Sequence, residues 1–201
     1  MENEEKIINE TENTEKSEKK QQSGGLVGLL YDTVSIFSSA LIIIAIIFTF
    51  FVRIVGVDGN SMNNTLQNND WLLVSAINTE IRRGDIVIST QPNAFNEPIV
   101  KRVIAKGGQT VDIDFHTGTV TVDGEILDEP YIAAKTLTPE GVIFPIVVPE
   151  GKLFLMGDNR NDSTDSRSEA IGCVDERYIL GVAKCRFTPN FTIFKNNSAE
   201  S

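Results

Sequence analysis

The sequence predicts a mostly β protein: an antiparallel sheet or barrel-like domain preceded by a single N-terminal transmembrane helix. Three observations carry this. Residues 33–52 hold no charge and read largely as Leu, Ile and Phe. The chain beyond them is a series of short runs rich in Val, Ile and Thr, punctuated by Gly. No segment outside the apolar stretch keeps up a 3.6-residue period, and no repeat is visible.

The 201 residues divide accordingly. Residues 1–25 are rich in Glu, Lys, Asn, Gln, Ser and Thr and end in Ser23-Gly24-Gly25. They offer too little to bury against their ordering entropy and are expected to form a disordered cytoplasmic tail. Residues 26–53 form the expected anchor. Twenty uncharged residues at about 1.5 Å each span roughly 30 Å, the hydrocarbon thickness of a bilayer. A buried core helix is the alternative, but a soluble domain rarely needs a helix that is apolar on every face. A cleavable signal peptide fits less well, because no small-x-small site follows the run. Lys16, Lys19 and Lys20 precede the span and Arg53 stands alone after it. The basic excess keeps the N-terminus in the cytoplasm and places the remainder outside, as a single-pass cell-membrane protein. Residues 54–195 make the expected extracytoplasmic domain, and residues 196–201 a short C-terminal tail.

Within that domain, strands are expected over residues 71–77, 85–90, 99–105, 109–114, 118–122, 142–148, 152–156 and 178–187. Asp123-Gly124 between two Val/Ile runs predicts a two-residue hairpin.

Charge and residue counts narrow the chemistry. The formal net charge is −10 and the pI about 4.6, a poor match for phosphate backbones, so nucleic-acid binding is not expected. The first 32 residues, with eight acids and four lysines, account for −4 of that charge, so much of the acidity says little about substrate. Two cysteines and one histidine exclude a Cys/His zinc finger and any site with several imidazoles. Cys173 and Cys185 face an oxidising compartment; a disulfide and two buried thiols are both compatible with their spacing.

Three stretches could do chemistry. Gly59-Asn60-Ser61-Met62 permits a tight turn that presents a serine hydroxyl beside free backbone amides; an ordinary Ser/Thr turn is the plainer reading. Met62 and Leu66 could dip toward the membrane interface or join the core. In 99–108, alternation puts Ile99, Lys101 and Val103 on one strand face and Val100, Arg102 and Ile104 on the other. A lysine among apolar neighbours has a depressed pKa and becomes a usable base, whereas arginine stays protonated. Two basic residues guarding an edge strand are the alternative. Finally, 156–167 packs Asp158, Asn159, Arg160, Asn161, Asp162, Ser163, Asp165, Ser166 and Arg167 into one loop. That is more than a turn needs, though a solvated acidic loop would also fit. Calcium is conceivable from Asp158, Asn161 or Asp162, Asp165 and Glu169, but Ser163 stands where an EF-hand loop needs Gly. His116 lies in Asp112-Ile-Asp-Phe-His-Thr-Gly and reads as a solvated turn residue. A nucleophilic Ser61 therefore needs a lysine as its base, the Ser–Lys variant.

In this order the segments resemble type I signal peptidases, membrane-anchored Ser/Lys proteases of peptidase family S26, in a Gram-positive-like single-anchor form. The residues are Ser61-Met-Asn-Asn-Thr-Leu66, Gly84-Asp-Ile-Val87, Lys101-Arg-Val103, Asp128-Glu-Pro-Tyr131 and Gly157-Asp-Asn-Arg-Asn-Asp-Ser-Thr-Asp-Ser-Arg167. The resemblance implies Ser61 as nucleophile and Lys101 as general base. It implies that Ser163 orients the lysine amine, that Asp165 and Arg167 form a supporting ion pair, and that Asp158 and Arg160 stabilise the loop. Asn64 stands where the family usually has Pro, and Gly59 where many members have a hydroxyl residue. The oxyanion hole is thus expected to rest mainly on the Ser61 backbone N–H, with either a water or a neighbouring amide such as that of Gly59. The implied partners are preproteins with small residues near the cleavage site and the lipid bilayer; no metal or organic cofactor is implied. A self-cleaving repressor-type Ser/Lys peptidase shares the dyad but has no anchor. A non-catalytic anchored binding protein would not need both Ser61 and Lys101.

Overall fold

The computed structural model describes residues 25, 27–49, 51–76, 80–92 and 96–194. The tails expected over 1–25 (Gly25 apart) and 196–201 lie outside these residues, as do Leu26 and Phe50 of the expected anchor and Ile77 of the strand expected over 71–77. The chain divides into two compact units, residues 1–49 and residues 50–201.

The first unit contains one helix, α1 (Val27–Thr49). Every described residue of α1 is exposed, the reverse of what a core helix shows. Three of its hydroxyls bond within the helix: Thr33 and Thr49 donate to the carbonyls of Leu29 and Ala45, and Ser39 to that of Ile36. A helix in hydrocarbon has no water to do this for it. Val52 and Arg53, grouped with the anchor by their position next to the uncharged run, belong instead to a strand.

The second unit is two antiparallel sheets. In chain order the strands are β1 (Val52–Gly56), β2 (Trp71–Ser75), β3 (Ile86–Ser89), β4 (Ile99–Lys106), β5 (Thr110–Asp114), β6 (Thr119–Val122), β7 (Glu125–Ile126), β8 (Ile146–Val147), β9 (Lys152–Met156), β10 (Val174–Asp175), β11 (Ile179–Thr188) and β12 (Thr192–Ile193). The larger sheet runs β1-β2-β11-β3-β4-β9-β10, with β12 also pairing β11, and β1 and β10 do not pair to close it. The smaller runs β7-β6-β5-β8. The Asp123-Gly124 turn has positive φ at both residues (54° and 82°), the type I′ geometry that an Asp-Gly hairpin favours.

The departures from expectation have local causes. The run 142–148 supplies only the two residues of β8: Pro145 has no N–H to give a ladder, and Gly141 bridges to Ser168 instead. Tyr178 falls in a short 3-10 turn, Glu176–Tyr178, capped by the Asp175 carboxylate. The Val and Ile residues of β1 continue the hydropathy of the span, so no local boundary marks this strand in the sequence. β4 is not an edge strand, since β3 and β9 flank it, so Lys101 and Arg102 guard no open edge.

Three buried clusters hold the domain together. Ile104, Phe154 and Met156 pack against Val111, Ile113, Val120 and Val122 of the smaller sheet. Val87, Val103, Leu153, Leu155 and Val182 form a second cluster. The third contains Val57, Met62, Leu66, Leu72, Val74, Ile86 and Ile88. Met62 and Leu66 are thus core residues, and they peg the loop that carries Ser61.

Candidate active site

Ser61 sits on the connection between β1 and β2. Gly59 takes φ +95°, a conformation that costs a side-chain-bearing residue dearly, and so turns the chain after β1. The loop then closes on itself: Asn63 N–H donates to the Asn60 carbonyl and Leu66 N–H to that of Met62. From the far side, Asn159 N–H donates to the Ser61 carbonyl at 3.0 Å. Thr65 donates to Asp158. With Met62 and Leu66 buried as well, the loop is held without a proline, and Asn64 is exposed.

Lys101 comes from the middle of β4, opposite Val87 of β3. It is only 4% exposed, and its Nζ donates to Ser61 Oγ at 2.7 Å. Among the described residues it makes no ion pair. Burial pushes its pKa below the usual 10.5, because a charged amine cannot be solvated there. The negative charges of Asp165 and then Glu140 oppose that shift in part.

The loop after β9 closes the site from the other side. Asp165 and Arg167 are fully buried and form a two-pronged ion pair, with Arg167 Nε and Nη2 each 2.8 Å from a carboxylate oxygen. Asp165 Oδ2 also accepts from Gly157 N–H and from Ser163 Oγ, both at 2.9 Å. Ser163 therefore donates to Asp165, while the Lys101 amine bonds Ser61. Gly157 has no room for a side chain: a Cβ there would collide with Ser163 Oγ and the Ser61 carbonyl.

Asp158 and Arg160 tie this loop to the rest of the domain. Asp158 accepts from Arg102 Nε at 2.8 Å and Nη2 at 2.6 Å, and the Arg102 guanidinium lies 3.9 Å above the Tyr131 ring. Arg160 pairs with Glu129, and also bonds Thr136 Oγ1 at 2.9 Å. Glu129 and Tyr131 belong to the Asp128-Glu-Pro-Tyr131 segment, so two of the quoted motifs meet in space. The carboxylates weighed as calcium ligands do not converge: Asp158 and Asp165 each face an arginine, and Asp162 is exposed.

One sequence expectation needs revision, and one residue at the site had no signal in the sequence. The Gly59 N–H is not available to an oxyanion, because it already donates to Asn68 Oδ1 at 3.0 Å. Among the described residues the Ser61 N–H has no acceptor, which leaves it as the amide free to donate. Glu140 was missed altogether. It lies 2.9 Å from Arg167, and burial, followed by repulsion from Asp165, pushes its carboxyl up to about 7. Nothing in Thr138-Pro139-Glu140-Gly141 distinguishes it from a solvated turn. His116 is exposed in the β5–β6 turn, its N–H bonded to Asp114. Cys173 and Cys185 are free thiols.

A buried amine against a serine hydroxyl, beside an unpaired backbone N–H, defines a site of the serine-hydrolase class. Residues 30–188 match the family described as signal peptidase, peptidase S26. Signal peptidase I of Bacillus licheniformis is 33% identical over 185 residues, covering 87% of this chain and 94% of that protein. Signal peptidase I of Bacillus amyloliquefaciens is 40% identical over 143 residues, covering 66% of this chain and 72% of that one. Among solved structures, a signal peptidase I from Enterococcus faecalis V583 is similar at 28% identity and a TM-score of 0.44, covering 52% of this chain and 97% of the other. The chain belongs to the signal peptidase family, peptidase S26, and is a serine peptidase of that family.

Proposed function

We propose that the protein is a membrane-anchored signal peptidase I that removes N-terminal signal peptides from exported preproteins, with Ser61 as nucleophile and neutral Lys101 as general base. The observation that carries the residue assignment is the 2.7 Å separation of Lys101 Nζ and Ser61 Oγ, with the amine buried and free of any carboxylate contact among the described residues. Lowered proton affinity is what lets a lysine act as a base near neutral pH.

The steps follow from this arrangement. The neutral amine takes the Ser61 hydroxyl proton as Oγ bonds to the scissile carbonyl carbon. The Ser61 N–H donates to the oxyanion that forms. The resulting ammonium returns its proton to the leaving amine as the C–N bond breaks. Water then attacks the acyl-enzyme, giving its proton to Lys101; the bond from the acyl carbon to Ser61 Oγ breaks, the ammonium returns the proton to Oγ, and the signal peptide leaves with a new carboxyl terminus. The Asp165–Arg167 pair, with Ser163 bonded to it, holds the loop whose Asn159 N–H fixes the Ser61 carbonyl.

The helix α1 serves as the anchor, with the N-terminus in the cytoplasm and the β domain outside, as the lysines before the span favour. Ser61 follows Arg53 by eight residues, a reach of at most roughly 29 Å, so it works close to the membrane surface. A preprotein's cleavage site, just beyond its own apolar segment, lies at that height. Small side chains near the scissile bond are the expected substrate preference.

The test is cleavage of a preprotein by the purified full chain. Cut product should end at a small-x-small site, and Ser61→Ala and Lys101→Met should each lower kcat/KM by roughly 10⁴-fold or more while leaving the circular-dichroism spectrum unchanged. A folded wild-type protein that binds the preprotein without cutting it would establish a binding role instead.

A further inference from the structure

The connection from β7 to β8, residues 127–145, is irregular yet firmly fastened. Asn161 Oδ1 accepts from Leu137 N–H, Thr138 N–H and Thr138 Oγ1 at 3.0–3.2 Å, and Asn161 Nδ2 donates to the Lys135 carbonyl at 2.9 Å. A few residues on, Val142 N–H donates to the Arg167 carbonyl at 3.0 Å, and Arg167 Nη1 donates to the Thr138 carbonyl at 3.3 Å. Between these fastenings the chain presents Glu140 to the catalytic loop. One carboxylate oxygen is 2.9 Å from Arg167 Nη2 and the other accepts from Asp165 N–H at 3.4 Å; the side chain is 14% exposed.

Resting on the Ser61–Lys101 assignment, we infer that Glu140 is a positioning residue of the dyad: by sharing Arg167 with Asp165, it sets the negative charge facing the Lys101 amine and hence the pH at which the base is lost.

One guanidinium here faces two carboxylates, so the group is net negative when both are ionised and neutral when Glu140 is protonated. The charges acting on Lys101 are Asp165, Glu140 and Arg167, and more weakly Asp158, which Arg102 already engages. Those acting on Glu140 are Asp165, Arg167 and Lys101 itself. An ionised Glu140 favours the ammonium form of Lys101 and so raises its proton affinity. Since Glu140 is itself held near neutrality, its proton and that of Lys101 oppose each other. The acid limb of activity is therefore drawn out more than one proton alone would make it.

The test is the pH dependence of kcat/KM for the detergent-solubilised full chain on a signal-peptide substrate. Glu140→Gln keeps the size of the side chain and removes the charge. The acid limb should move about half a pH unit lower and become steeper. Glu140→Asp keeps the charge but draws it back, so its limb should move the same way by less; it also serves if the Gln variant does not fold. Carbon-13 titration of the Lys101 Cε in a Ser61→Ala background should show the same displacement without turnover. An unmoved or upward-shifted limb, in a protein whose cleavage still needs Ser61 and Lys101, would overturn the role of Glu140 alone. Cleavage that survives Lys101→Met would overturn the dyad, and this inference with it.

Discussion

Lys101 and Arg102 are adjacent on one strand, and their side chains leave it on opposite faces. Both are buried, at 4% and 9% exposure, yet their charges meet opposite surroundings. On one face the Arg102 guanidinium has a two-pronged carboxylate partner in Asp158, a carbonyl acceptor at Gly84 and an aromatic ring beneath it. On the other, the Lys101 amine has a neutral hydroxyl as its partner, and carboxylates act on it only from beyond direct contact. Burial thus does not mark a base. A buried cation with a carboxylate is structural, while one facing a hydroxyl is pushed toward its neutral form. Arg160 and Arg167 follow the Arg102 pattern, so Lys101 is the exception among the cations around the site.

The largest effect separating the two faces is expected from Arg102→Met. It would leave Asp158, fully buried, with Thr65 as its remaining donor, and breaking a buried pair in this way costs about 3–5 kcal/mol. Urea unfolding of the full chain in detergent should show that loss; a change below about 1 kcal/mol would mean that the pair is not structural.

Lys101→Met should have a smaller effect of the opposite sign. Burial lowers the folded pKa of Lys101 below 10.5, so between the two values the unfolded chain binds an extra proton and burying the lysine costs stability. The cost is full below the folded value and disappears above 10.5. The Met variant should therefore be the more stable protein at neutral pH, with its advantage shrinking as the pH rises. Thermal unfolding across that range checks this, and a variant less stable at every pH would contradict it.

His116→Ala should have the smallest effect of all. The ring is exposed in a turn on the smaller sheet, so turnover should be unchanged and stability altered by no more than about 0.5 kcal/mol. A large loss of cleavage would reopen the choice of base.

Much of this was legible beforehand because it is written locally. The Val/Ile/Thr runs and the Asp-Gly turn announce strands and a hairpin through their own backbone preferences. The crowd of carboxylates and arginines in 156–167 is more than a turn needs, and the resemblance to signal peptidases singles out Asp165 and Arg167, which do pair. The shortage of histidine pointed to a lysine base. What was hidden depends on partners distant in the chain. The Gly59 N–H looks free until Asn68 folds back onto it. Glu140 sits in an unremarkable Pro-Glu-Gly turn, and only the path of the β7–β8 connection brings it to Arg167. β1 was masked by its neighbour, since Val-Arg-Ile-Val continues an apolar run until pairing with β2 shows where its residues belong.

The sequence by itself therefore determined the long apolar helix, the β class and the residue types of the site, because hydropathy, strand propensity and nucleophile chemistry are properties of short segments. Which of two adjacent basic residues meets a hydroxyl and which a carboxylate was decided only by the tertiary structure. Alternation along β4 says that they diverge, but not what lies on either side. The charge state of a buried amine depends on surroundings assembled from segments as distant in the chain as Ser61 and Arg167, and no local pattern records them.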